Sequence, residues 1–145
     1  MSDNWKSLVV IVTFFFVLTT FPEALAETTR QPDRKTVEVI ENYVNHVSKI
    51  THGCDNRDEK LVKADELYTK AERVLIDADI LTEVDGKRID SFTILTSMSK
   101  LLNMARFLSN PKPSIIFTRE DFKKARKEYD KQFRYLQGFY EPKAP

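Results

Sequence analysis

Few side chains in this chain could ligate a metal or attack a substrate. His46, His52, Cys54 and Asp55 lie close together in sequence and form a conceivable metal set. The two histidines are six residues apart on what reads as a single helix, so they point to different faces, and zinc sites usually bring their ligands in closer pairs. No metal or other cofactor is expected. Cys54 is the only cysteine, which excludes an intramolecular disulfide and leaves packing to supply stability. A reactive thiol needs an electropositive neighbourhood, whereas Asp55 brings a negative charge, so Cys54 reads as an incidental thiol in a turn after Gly53.

Carboxylates between Asp77 and Asp85, followed by Gly86, suggest a calcium loop. Aligning Gly86 with the glycine of such a loop puts Leu81 where an oxygen ligand belongs and Arg88 where an apolar residue belongs, and the pattern fails. No phosphate-cradling glycine loop, nucleophile elbow or H-E-x-x-H occurs, and no catalytic residue is assigned. The three glycines, Gly53, Gly86 and Gly138, all read as turn positions. Near the C-terminus, Lys123, Lys124, Arg126, Lys127, Lys131 and Arg134 interleave with Phe122, Tyr129, Phe133 and Tyr135. That interleaving can track a phosphate backbone while rings stack on bases. Here Phe122, Tyr129 and Phe133 share a core-facing helical stripe, which argues against nucleic acid and against anionic lipid.

These groups are positioned by four expected helices. Val37, Ile40, Val44, Val47 and Ile50 recur at spacings of three and four, predicting a helix capped by Thr36 and ending near His52. Asn56 and Glu59 have capping-box spacing, and the stripe Leu61, Ala64, Tyr68, Ala71, Leu75 and Ala78 predicts a second helix running to about Val84, with Asp85 and Gly86 as the turn. The third, over about 91–108, is apolar around most of its circumference, including Phe92, Met98, Leu101 and Phe107, and is expected to be central. Pro111 and Pro113 stop it, and Ile115, Ile116 and Phe117 follow. Thr118 caps the last helix, whose buried stripe is Phe122, Ala125, Tyr129, Phe133 and Leu136 and which Gly138 should end. No run alternates long enough to predict a strand. The expected fold is all-α: a single four-helix, up-down bundle-like domain over 36–138, preceded by a flexible arm over 27–35 and followed by a tail over 139–145.

Residues 1–26 read as a signal peptide. An apolar run over 8–18 is too short to span a bilayer and leads to Ala24-Leu25-Ala26, small residues where a signal peptidase cuts, so the mature chain begins at Glu27 and is secreted. Removing the segment leaves 22 Lys and Arg against 20 Asp and Glu. That balance argues against a wholesale polyanion binder. It hides an asymmetry, because residues 57–85 carry five bases and nine acids while 119–134 carry seven bases and four acids. The two segments either lie side by side or face different partners.

A cleavable signal, a charged helical domain of this size and no catalytic motif together resemble, in outline, the small secreted effectors in the saliva of sap-feeding insects and in other parasites' secretions. The chain departs from helical chemosensory and odorant-binding proteins, which rely on several paired cysteines. The leading expectation is a non-enzymatic module that binds a host or extracellular protein through an exposed helical face, and four capped amphipathic stripes with no possible intramolecular bridge predict a monomer or weak dimer. Lys124, Lys127, Lys131 and Arg134, with Phe139 and Tyr140, are the candidate partner-binding residues, since arginine and aromatic groups dominate binding hot spots. The alternative is a carrier whose bundle holds a small apolar ligand among Phe92, Met98, Met104, Phe107 and Phe117.

Overall fold

A computed structural model describes residues 29–110 and 118–140, with the side chain of Tyr140 excluded. The expected signal peptide and its cleavage site, the prolines and Ile115 to Phe117 of the last connection, and the tail from 141 onward lie outside the described residues. The described chain is mostly helical, with α1 (Arg34–Val47), α2 (Arg57–Ala78), α3 (Ser91–Leu108) and α4 (Arg119–Tyr140). A small antiparallel hairpin, β1 (Leu81–Val84) and β2 (Lys87–Asp90), is inserted between α2 and α3.

The start of α1 is set by Asp33, not Thr36. The Asp33 carboxylate accepts both the Thr36 amide at 2.8 Å and the Thr36 hydroxyl at 2.6 Å. Thr36 therefore falls inside the first turn and is buried. The buried stripe becomes Thr36, Val39, Ile40, Tyr43, Val44 and Val47. The helix stops at Val47, earlier than its periodicity suggests. The Ser48 hydroxyl donates to the Asn45 carbonyl at 2.7 Å, and tighter turns follow while Ile50 stays buried.

The predicted capping box at α2 does not form. Asn56 sits in the left-handed region at φ 56° and makes no side-chain cap, whereas that motif needs extended backbone at its first residue. At its other end α2 closes at Asp79, also left-handed at φ 45°, whose amide donates to Leu75. The residues expected to continue this helix form the hairpin. Asp85 and Gly86 have φ of 52° and 78°, the two positive values of a type I′ turn, and Val84 pairs with Lys87 across it. Thr82 and Ile89 face each other and are buried. The segment read as a flexible arm is engaged where it is described. Arg30 exchanges backbone hydrogen bonds with Leu81 at 2.7 and 3.1 Å, and the Gln31 amide donates to the Thr82 hydroxyl at 2.8 Å.

Helix α3 begins and ends where its pattern predicts. The Asp90 carboxylate caps it by accepting the Thr93 amide at 2.8 Å. Ile94, Met98, Leu101, Leu102, Ala105 and Leu108 are buried, and α3 packs against α4, α2, α1 and β2, so it is central. Phe92 is the exception, standing 76% exposed. Thr118 and Asp121 cap α4 reciprocally, the Asp121 amide donating to the Thr118 hydroxyl at 3.2 Å and the Thr118 amide to the Asp121 carboxylate at 3.0 Å. Tyr129 and Leu136 are buried as expected, but Phe122 is exposed. Gly138 does not end the helix, which runs to Tyr140. A helical glycine costs only about 1 kcal/mol relative to alanine, and Phe139, packed against the core, holds the final turn.

Buried polar groups tie the elements together. Inside the core the Tyr43 hydroxyl donates to the Met98 carbonyl, and burial holds its acidity far below that of a free phenol. The Ser91 hydroxyl accepts the Ile80 amide at 2.8 Å and donates to the Leu75 carbonyl at 2.6 Å, joining the end of α2 to the start of α3. At the opposite end Arg57 donates to the Ser109 hydroxyl and to the Arg106 carbonyl, both at 2.9 Å. A cation there meets the negative end of the α3 dipole.

Candidate functional site

Lys124, Lys127, Lys131 and Arg134 are brought together on the outward face of α4, all four exposed. Their spacing of three, four and three keeps them in one row along the helix, and ten residues of helix extend about 15 Å. Among the described residues none of the four is in an ion pair. Neighbouring cations are paired: Lys123 with Glu120 at 3.6 Å, and Arg126 with Asp130 at 3.5 Å, the Arg126 guanidinium also lying over the Tyr129 ring.

Phe139 does not join that row. It is half-buried against the core and sits beside Gln31, Pro32 and the hairpin tip. Of the aromatic residues interleaved with the cations, Tyr129, Phe133 and Tyr135 are turned inward, whereas Phe122 is exposed. Tyr129 is buried, stacks on Phe133 with ring centroids 6.4 Å apart, and donates its hydroxyl to the Val47 carbonyl at 3.4 Å. A stacking platform for bases is thus not presented by these rings.

The charge asymmetry is smaller than the sequence segments suggest. Within α2 itself six acids meet five bases, because Asp79, Glu83 and Asp85 lie in the turn and hairpin beyond it. Three of the acids are in ion pairs with other cations: Asp58 with Arg57, Asp65 with Arg106, and Glu66 with Lys63. The α2 and α4 helices do not pack face to face, each contacting α1 and α3 instead. Of the two arrangements left open by the charges, the α4 cations face outward.

The candidate metal ligands are dispersed. His46 meets the Lys60 carbonyl through Nε2 at 2.8 Å, and His52 meets the Leu108 carbonyl through Nδ1 at 3.4 Å. Cys54 is half-buried against the core and Asp55 is exposed. Among the described residues no group of three histidines, cysteines or acids gathers to hold a metal. The candidate calcium segment is the hairpin and its approach.

A groove not anticipated from sequence lies between the end of α2, the hairpin and the start of α3. It is open, holds about 720 Å³, and is lined by Ile76, Leu81, Phe92 and Leu95, with Arg88 and Lys100 among its charged residues. Ile76 is 59% exposed. Among the described residues suggested for an apolar pocket, only Phe92 lines this groove, and Phe117 lies outside the described residues. Met98 is fully buried, and Met104 and Phe107 pack against the core. Two sequence signals point to the groove. Ile76 lies off the three-four stripe of α2, and Phe92 directly follows the first residue of α3, beyond the reach of the other helices. Comparison with protein families, with curated proteins and with solved structures finds no match to this chain.

Proposed function

We propose that this chain is a secreted, non-enzymatic interaction protein that binds an extracellular or host protein through the outer face of α4. The observation that carries the reading is the row of four exposed cations that have no ion-pair partner among the described residues. Such a row steers association with a complementary surface and helps to set register once bound. Export rests on the apolar run and small residues of segment 1–26, with the mature chain starting at Glu27. An up-down four-helix bundle, monomeric or weakly dimeric, is the matching architecture. It is supported by the closeness of His46 to Lys60, of Leu75 to Ser91 and of Arg57 to Ser109, which puts the end of each of the first two helices beside the start of the next.

Replacing Lys124, Lys127, Lys131 and Arg134 by glutamate, with capture from extracellular fluid read by mass spectrometry, tests the proposal. The variant should keep its helical circular dichroism and lose the partner. Undiminished capture refutes the assignment. A second reading, a carrier of a small apolar ligand, is favoured by the groove at Ile76 and Phe92. It predicts that native protein retains a lipid through purification and that Leu95→Trp, which narrows the groove, reduces uptake while reversal of the α4 charges does not.

A further inference from the structure

We propose that the α4 row selects a partner surface of one kind, an acidic helix whose carboxylate row is bordered by cations, in preference to phosphate, sulfate or lipid polyanions. This rests on the reading of α4 as the interaction face and specifies its partner. The row is not a uniform positive patch. Glu128 follows Lys124 by four residues and precedes Lys131 by three, while Asp130 follows Lys127 by three and precedes Arg134 by four. Residues three and four apart are neighbours on a helix surface, so one acid borders the row on each side. Both acids are held. Glu128 accepts the Gln132 side-chain amide at 2.7 Å, and Asp130 pairs with Arg126 at 3.5 Å.

A positive centre bordered by the Glu128 charge on one side and by the Asp130–Arg126 ion pair on the other discriminates between anions by geometry. A chain of phosphates or sulfates, negative on every side, gains from the centre and is repelled at the Glu128 border. A helix carrying glutamates at matching spacing, with lysine or arginine beside them, meets attraction along the centre and along the Glu128 border. Flanking charges select partners in paired helices by this means. The inward-facing Tyr129 and half-buried Phe133 give nucleic-acid bases no ring to stack on. Phe122 is the one exposed large apolar side chain of α4 among the described residues, too little to seat the helix in a lipid surface.

Two blocked helical peptides of identical composition provide the test. One has glutamates spaced three, four and three with lysines at the borders, and the other has the same residues scrambled. Binding to the full mature chain is measured by calorimetry and by amide chemical shifts at about 50 and about 300 mM salt, between which screening shortens markedly. Single-stranded oligonucleotide, heparin and phosphatidylserine vesicles are measured alongside. The matched peptide should bind at least about tenfold more tightly than the scrambled one, a gap of about 1.4 kcal/mol, with shifts confined to the α4 row. Lys127→Glu combined with Lys131→Glu should abolish binding, and a peptide with lysines in place of the facing glutamates should restore it. Equal affinity for both peptides overturns the inference, as does tighter binding of the oligonucleotide, heparin or the vesicles than of the matched peptide. If the peptides bind alike while the reversed chain still loses its captured protein, this inference alone fails. Capture that survives the reversal removes the interaction reading as well.

Discussion

Ser91→Ala removes one oxygen from a place where two helices and the hairpin meet. The Leu75 carbonyl loses the hydroxyl but keeps the Asp79 amide at 3.0 Å, so its loss is small. The Ile80 amide has the Ser91 hydroxyl at 2.8 Å, and Ile80 is only 1% exposed, so water cannot take over. A neutral hydrogen bond contributes about 1 kcal/mol net and an orphaned buried donor costs about 1–3 kcal/mol, which places the loss at about 2–3 kcal/mol. With a urea dependence of about 1–3 kcal/mol per molar for a domain of this size, the unfolding midpoint should fall by about 0.7–3 M. Equilibrium unfolding followed by circular dichroism measures this. Ser99→Ala, on the half-exposed side of the same helix, serves as the control and should change stability by less than about 0.5 kcal/mol. Hydrogen exchange supplies a local readout, in which the Ile80 amide loses protection. A Ser91→Ala loss no larger than that of the control would show that the bridge does not join α2 to α3.

Two other predictions concern the core and the caps. Leu101→Ala, at a fully buried position of α3, should cost about 2–5 kcal/mol, whereas Phe92→Ser on the same helix should change urea stability by under about 0.5 kcal/mol; similar losses at both positions would contradict the placement of Phe92. Asp33, Asp90 and Asp121 all have carboxyls held below their ordinary range, chiefly by the Thr36 hydroxyl, the Thr93 amide and the Thr118 amide respectively. A carboxyl that is more acidic when folded contributes stability above its unfolded pKa, about 3.9, and loses it as pH falls through the lower folded value. Thermal stability should therefore decline below about pH 4. Asp90→Asn, which caps about as well but does not titrate, should make that decline shallower with little change at pH 7; an unchanged acid slope would refute the role assigned to Asp90.

The helical periodicity of α3 and the capping residues around Thr118 were legible in the sequence because both depend on neighbours three or four residues away. The outward α4 row was legible for the same reason, since 3.6-residue periodicity alone puts Lys124, Lys127, Lys131 and Arg134 opposite Tyr129 and Leu136. The hairpin carried a local signal, Asp85-Gly86, which favours a two-residue turn. Its strands, four residues each, are too short for alternation to show, and Leu81, three residues after Ala78, extends the helical stripe. What turns that stretch into strands is non-local: Arg30 pairs with Leu81, Ser91 holds Ile80, and Ile89 is buried beneath the sheet.

Tertiary structure also decided the fate of aromatic residues with similar sequence surroundings. Phe139 is packed against the core, with the hairpin and the segment before α1 beside it, and α4 runs on through Gly138 to Tyr140. Phe92 remains outside because, among the described residues, no helix covers its side of the start of α3. Periodicity assigns a side chain to a face of its own helix, but burial requires a second element against that face, and the second element comes from a distant part of the chain.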